Sequence, residues 1–324
     1  MISRRRIVLL LGAGALTSLA SFAQQPAKVP RIGVTVAGFA PNPYVDALRR
    51  SLAELGWVEG RTILIEVRYA EGRVERFPAF MEELVRLKVD LVVAGGGATP
   101  VRAAMRATSA IPIVMPAVYD PVAAGLVSSL ARPGGNVTGQ AQLDIETTVK
   151  RMEILRAILP KAERVAVLRD PAVVQAHANA MEASARSLGL RLYIVTAGGV
   201  EELDGAFRAA REARGEGLIV LASGVFTANS KRLVDLAAQN QLVAVYEHRD
   251  FVEAGGLISY GVNLEELWRG AAKYVDKILK GAKPADLPVE QPTTFELVIN
   301  MKTAKALGIK VPQTILLRAT KVIE

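Results

Sequence analysis

The sequence predicts an α/β fold of two doubly wound, Rossmann-like lobes joined by a hinge of several crossing segments. Three observations point there. Short apolar runs of strand length alternate with amphipathic stretches of helix length from Pro30 onward. The alternation runs through two successive stretches of similar length. A capping residue followed by proline recurs four times, at Asn42-Pro43, Thr99-Pro100, Asp120-Pro121 and Asp170-Pro171. That device suits helix starts, because the side chain takes orphan backbone N–H groups and proline has none to lose.

In chain order, 31–37 reads as a buried strand, with Asn42-Pro43 opening a helix whose Val45, Leu48, Leu52 and Leu55 share one face. A strand over 63–67 follows, then a helix through Phe77, Phe80, Met81, Leu84 and Val85. The stretch 90–125 then sets two loops side by side. Its strand over 90–94 leads into Gly95-Gly96-Gly97, with Thr99 expected as the cap of the next helix. A strand over 111–116 leads to Asp120-Pro121, expected to repeat the device. Glycines admit a ligand close to the backbone, and a helix start offers N–H groups to an anion. A short strand at 137–139 ends this half.

The second half has the same rhythm. A helix striped by Val149, Met152, Leu155, Ile158 and Leu159 precedes strands over 164–168, 191–196, 217–222, 243–246 and 257–260. Asp170-Pro171 and Ser223-Gly224 lead toward helices, and Leu264, Leu267, Trp268, Ala271, Val275 and Ile278 stripe a long one. A strand over 294–299 and a short helix over 302–307 finish the chain. The expected division is a signal peptide at 1–23, one lobe from 30–139 plus about 264–283, and another from 140–263 plus about 284–324. The hinge is expected at 134–139, 260–263 and 281–284, where glycine or proline breaks the pattern.

The N-terminus carries a sorting signal. Arg4–Arg6, the apolar run over 7–20 and Ser21-Phe22-Ala23 have the layout of a secretory signal peptide cut after Ala23. The apolar run is short for a membrane-spanning helix. Ser3-Arg4-Arg5-Arg6-Ile7 also loosely fits a twin-arginine signal, so either export route is open. With no cysteine there are no disulfides and no lipid anchor, and the expectation is a soluble, monomeric periplasmic protein. Losing the three signal-peptide arginines takes the formal charge from +8 to +5, a scattered excess that argues against a nucleic-acid partner.

Catalytic signals are sparse. His177 and His248 are the only histidines, and neither has a metal-ligand spacing, so no metal or cofactor is expected. The run Glu247-His248-Arg249-Asp250 reads as a loop charge cluster. There is no G-x-S-x-G elbow and no phosphate-binding G-x-x-x-x-G-K-[ST]. Facing strand ends of two lobes would instead line a cleft. The candidate ligand-binding residues are Phe39, Asn42, Gly96, Gly97, Thr99, Tyr119, Asp120, Asp170, Ser223, Tyr246 and Glu247. Of these, Phe39, Tyr119 and Tyr246 are candidates to stack on a solute, and Asp120 or Asp170 to pair with an ammonium.

Several long runs are distinctive: ELGWVEGRTILIEVRYAEGR (54–73), ELVRLKVDLVVAGGG (83–97), IPIVMPAVYDPVAAGLVSSLARPGGNVTG (111–139), FVEAGGLISYGVNL (251–264) and KILKGAKPADLPVEQPTTFELVINMKTAKALG (277–308). Through them the chain resembles the substrate-binding proteins of ABC transporters, in particular the tryptophan-transport-type periplasmic binding proteins. The resemblance implies a type I periplasmic binding fold, an amino acid or related solute enclosed between the lobes, and delivery to a membrane permease with its ATPase. One departure is Arg169-Asp170-Pro171, where members often carry Asn before the proline. Two other uses of such a cleft stay open on sequence alone: a sensor module for a membrane receptor, and a secreted enzyme with Asp170 or Glu247 as general base.

Overall fold

A computed structural model describes residues 28–142, 145–172 and 178–324. The expected signal peptide and His177 lie outside the described residues. The first half runs β1 (Arg31–Val36), α1 (Pro43–Glu54), β2 (Leu64–Tyr69), α2 (Phe77–Arg86), β3 (Leu91–Ala94), α3 (Ala98–Ala107), β4 (Ile113–Tyr119) and β5 (Val137–Gln142). The second runs α4 (Ile145–Ile158), β6 (Arg164–Arg169), α5 (Ala178–Ser187), β7 (Arg191–Thr196), α6 (Leu203–Glu212), β8 (Gly217–Val220), α7 (Gly224–Ala228), α8 (Ser230–Gln239), β9 (Val243–Tyr246), α9 (Arg249–Glu253) and β10 (Ile258–Val262). The chain then adds α10 (Leu264–Leu279), β11 (Phe295–Asn300), α11 (Met301–Ala306), α12 (Gln313–Leu316) and β12 (Lys321–Ile323).

The first sheet has the order β2-β1-β3-β4-β5, parallel throughout. The second has the order β12-β11-β10-β9-β8-β6-β7. Its parallel part, β7-β6-β8-β9-β10, repeats the permutation of the first sheet one for one. Each lobe therefore has its own switch in strand order, β1/β3 in one and β6/β8 in the other. Chains diverge to opposite faces there and leave a crevice at the carboxyl ends of the strands.

Burial explains the strand compositions. Leu91–Ala94, Gly217–Val220 and Val243–Tyr246 are buried at every position, because helices cover both faces of a parallel sheet. Fully burying one such valine or leucine contributes roughly 1.5–3 kcal/mol. Two core clusters flank each sheet. Helix α10 follows β10 of the second sheet but packs on the first lobe, through Trp268, Ala271, Ala272, Val275 and Ile278. The stripe seen in the sequence is thus a face against β4 and α1.

The chain changes lobe three times: between β5 and α4, between Val262 and Leu264, and between Glu290 and Phe295. The expected hinge segments at 134–139 and 281–284 are corrected by this. Residues 137–142 are strand β5 inside the first sheet. After α10 the chain stays on the first lobe, where Leu287 O accepts from Thr138 Oγ1 and Val289 N donates to Leu130 O. The lobe border near 284 accordingly moves beyond Glu290. The chain re-enters the second lobe where β10 left it, with Phe295 opposite Val262, so β11 must run antiparallel to β10.

Candidate functional site

Between the lobes lies a cavity of about 410 Å³, within the size range of small-molecule sites. Its walls come from the carboxyl ends of β1, β3, β4, β5, β6, β8 and β9 and from the first turns of α10. Of the residues expected at the cleft, Phe39, Asn42, Gly96, Gly97, Thr99, Tyr119, Asp120, Asp170, Ser223 and Glu247 all line it.

Tyr246 does not. It is buried in the second lobe and stacks on Phe251, with ring centroids 4.9 Å apart. The two-residue period of strand β9 turns Tyr246 into the core and leaves the next residue, Glu247, at the cleft.

Two expected caps are also corrected. Helix α3 starts at Ala98, with Gly97 as the residue before it, so Thr99 sits within the first turn. Gly97 has no side chain to cap with, and the first-turn N–H groups of α3 stay available at the cavity wall. Asp120 starts no helix. Its Oδ1 accepts from Ala123 N at 3.0 Å and closes a turn. By contrast Asn42 caps α1 as expected, its Oδ1 accepting from Tyr44 N and Val45 N at 3.1 and 3.3 Å.

The second lobe contributes an acidic wall. Asp170 Oδ1 accepts from Ala172 N at 2.8 Å, and its Oδ2 accepts from Ser223 Oγ at 2.6 Å. Ser223 also caps α7 by accepting from Val225 N. The short link after β9 and the first turn of α9 bring Glu247, His248 and Asp250 to the cavity. His248 Nε2 lies 2.5 Å from Glu247 Oε1, with both side chains buried. Burial pushes the His248 imidazole toward its neutral form, but the charge and hydrogen bond of Glu247 and the nearby Asp250 outweigh it. The net effect is a raised pKa, against the opposing charge of Arg151.

Two tyrosines of the first lobe reach across to this wall. Tyr44 Oη donates to Asp250 Oδ2, and Tyr119 Oη donates to Glu247 Oε1. Burial first, and the Asp250 carboxylate second, hold the Tyr44 phenol well above its usual range, so it stays a donor. The lobes also meet backbone to backbone. A β carbon on Gly224 would lie 2.4 Å from Gly96 O, closer than any side chain tolerates. Val74 packs against cores of both lobes. The structure is thus a closed one.

Sequence reasoning missed Tyr44, Gln142, His248, Asp250 and Trp268 as wall residues. Trp268 reads as core from its place in the α10 stripe, and it is core as well, 4% exposed and stacked on Tyr44 at 6.1 Å. For His248 and Asp250 a signal existed: four titratable residues directly follow a fully apolar strand.

The model of the ABC transporter substrate binding protein family matches residues 31–323. The chain belongs to that family. It is 27% identical over 286 residues to the tyrosine-binding protein of Clostridioides difficile, covering 86% of this chain and 81% of the relative. It superposes on a Streptococcus pneumoniae ABC domain in complex with L-Trp with a TM-score of 0.83 and 26% identity, over 91% of this chain and 99% of the other. Against the ligand-free, open structure of a Clostridium difficile substrate binding protein with adhesive properties the TM-score is 0.63, at 25% identity and with coverage of 91% and 99%. The binding protein is therefore nearer in shape to the ligand-bound relative than to the open one. No helix among the described residues is long and apolar enough to cross a membrane.

Proposed function

We propose that this protein captures a zwitterionic α-amino acid between its lobes and delivers it, unchanged and as a monomer, to an ABC permease with its ATPase. The carrying observation is the polarity of the cavity. The first lobe offers the uncapped N-terminus of α3 at Gly97–Thr99, which suits a carboxylate. The second offers Asp170, Glu247 and Asp250, which suit an ammonium. Apolar groups such as Ala37, Phe39, Ala222 and Leu264 fill much of the remaining wall. The relatives named for tyrosine and crystallised with L-Trp support an amino acid as ligand. The proposed setting is the periplasm, reached through the N-terminal signal at 1–23.

Closure does the holding. A ligand touching both jaws has differential affinity for the closed state, and that difference drives the hinge. Isothermal titration of the purified protein with the common L-amino acids tests the reading, with the solute recovered and analysed afterwards. One-to-one binding with quantitative recovery supports capture. Consumption of the solute would replace it with an enzyme.

A further inference from the structure

The acidic side of the cavity is rich in acceptors, and the side-chain donors that face it are spent on them. Tyr44 and Tyr119 give their phenolic protons to Asp250 and Glu247, Ser223 gives its hydroxyl to Asp170, and His248 Nε2 faces Glu247. No lysine or arginine is among the wall residues described. His248 is the one histidine of the described wall and stands beside both Glu247 and Asp250, so the wall carboxylates Asp120, Asp170, Glu247 and Asp250 outnumber it, and Asp170 accepts from the neutral donors Ala172 N and Ser223 Oγ. A further acceptor is Gln142, 6% exposed and on the same wall, whose buried Oε1 has no hydrogen-bond partner.

Carboxylates that outnumber the cations of a largely enclosed wall are costly, and a buried acceptor without a donor adds to that cost. The occupant must therefore supply positive charge and N–H groups. One ammonium added to His248 still leaves the wall carboxylates in excess. We propose that the solute is a basic α-amino acid, whose two cationic groups are shared between Asp170 and Asp250 with Gln142 Oε1 as an added acceptor. This rests on the amino-acid reading above, because the α-carboxylate is assigned to the start of α3. The paired rings of Tyr44 and Trp268, both on the wall, add an aromatic surface suited to a cation.

The test is titration calorimetry of the purified protein with L-arginine, its neutral isostere L-citrulline, L-lysine, L-tyrosine and L-tryptophan. L-Arginine or L-lysine should bind at least about tenfold more tightly than L-citrulline and L-tyrosine, the difference one well-placed charge pair makes. The isosteric variants Asp170→Asn and Asp250→Asn should each shrink the arginine-to-citrulline ratio, a readout that a merely structural role would leave alone. Equal or tighter binding of L-citrulline, L-tyrosine or L-tryptophan overturns the basic-solute inference and leaves amino-acid capture standing. An unchanged ratio in both variants overturns the assignment to Asp170 and Asp250. Silence toward all five overturns the basic-solute inference, and silence toward the remaining common L-amino acids as well overturns the amino-acid reading.

Discussion

Gly224 of the second lobe sits against the carbonyl of Gly96 of the first, so close that a β carbon would stand 2.4 Å from the oxygen. Each glycine lies just past a strand at the switch in its own sheet, β8 for Gly224 and β3 for Gly96. The contact exists only when the jaws are shut. Gly224→Ala should therefore leave each lobe folded and prevent full closure. The expected outcome is a loss of solute affinity of about a hundredfold or more, because backbone cannot give way as a flexible side chain can. Circular dichroism should be unchanged, and small-angle scattering should show no compaction on adding solute. Wild-type compaction in the variant would refute the contact.

The bonds Tyr44–Asp250 and Tyr119–Glu247 join opposite lobes through a phenol and a carboxylate. A hydrogen bond to a charged group contributes about 1.5–3 kcal/mol. Tyr44→Phe or Tyr119→Phe should weaken solute binding by roughly ten- to a hundredfold, mostly through faster dissociation. Stopped-flow displacement measures this. A change confined to the association rate would contradict a role in holding the closed state.

The His248–Glu247 pair makes stability depend on pH. His248 is buried beside Glu247 and Asp250, with Arg151 opposing and Glu296 also within its field. Its folded pKa is raised above the ordinary value of 6.5, so its contribution is complete below that pH. The contribution fades as pH rises through the raised value. Urea unfolding at a series of pH values from about 6 to 9 should show this decline, and His248→Gln should flatten it. Equal slopes in both proteins would count against the pair.

Glu265 behaves in the opposite sense. It stands in the first turn of α10 beside the second crossing, and accepts from Arg50 on α1 and Arg249 on α9 at 3.0 and 2.9 Å. Burial works against its ionised form, but Arg249, Arg269 and Arg50 prevail and hold its pKa below the usual carboxylate value. Its contribution is thus present above about pH 4.5 and is lost as pH falls through the depressed value. Glu265→Gln should lower the unfolding midpoint at pH 7 and narrow the gap between pH 7 and pH 4. High salt should weaken the effect, since the pair with Arg50 is partly exposed.

Much of the cavity wall was legible in the chain. The capping residues Asn42 and Ser223, and Asp170 closing a turn onto Ala172 N, announce themselves because a strand end followed by a side chain that accepts from nearby backbone is a local event. Thr99 misled for a local reason too, since Gly97 had already begun the turn. Tyr246 misled because an aromatic residue at a strand end faces core or cleft according to one step of register. Tyr44, Gln142 and Trp268 carry no local mark of a site.

The sequence by itself determined the alternation of strand and helix, the duplication, and the burial of β3, β8 and β9, because hydrophobic period and capping act over a few residues. It did not determine where the hinge runs, that α10 leaves the second sheet to pack on the first lobe, or which carboxylate meets which tyrosine. Those relations join residues as far apart as Tyr44 and Asp250, and depend on how two separately folded sheets face each other across three crossings. Long-range docking of that kind leaves no periodic trace in a chain. It was the tertiary structure that turned a charge cluster at Glu247–Asp250 into one jaw of a closed cleft.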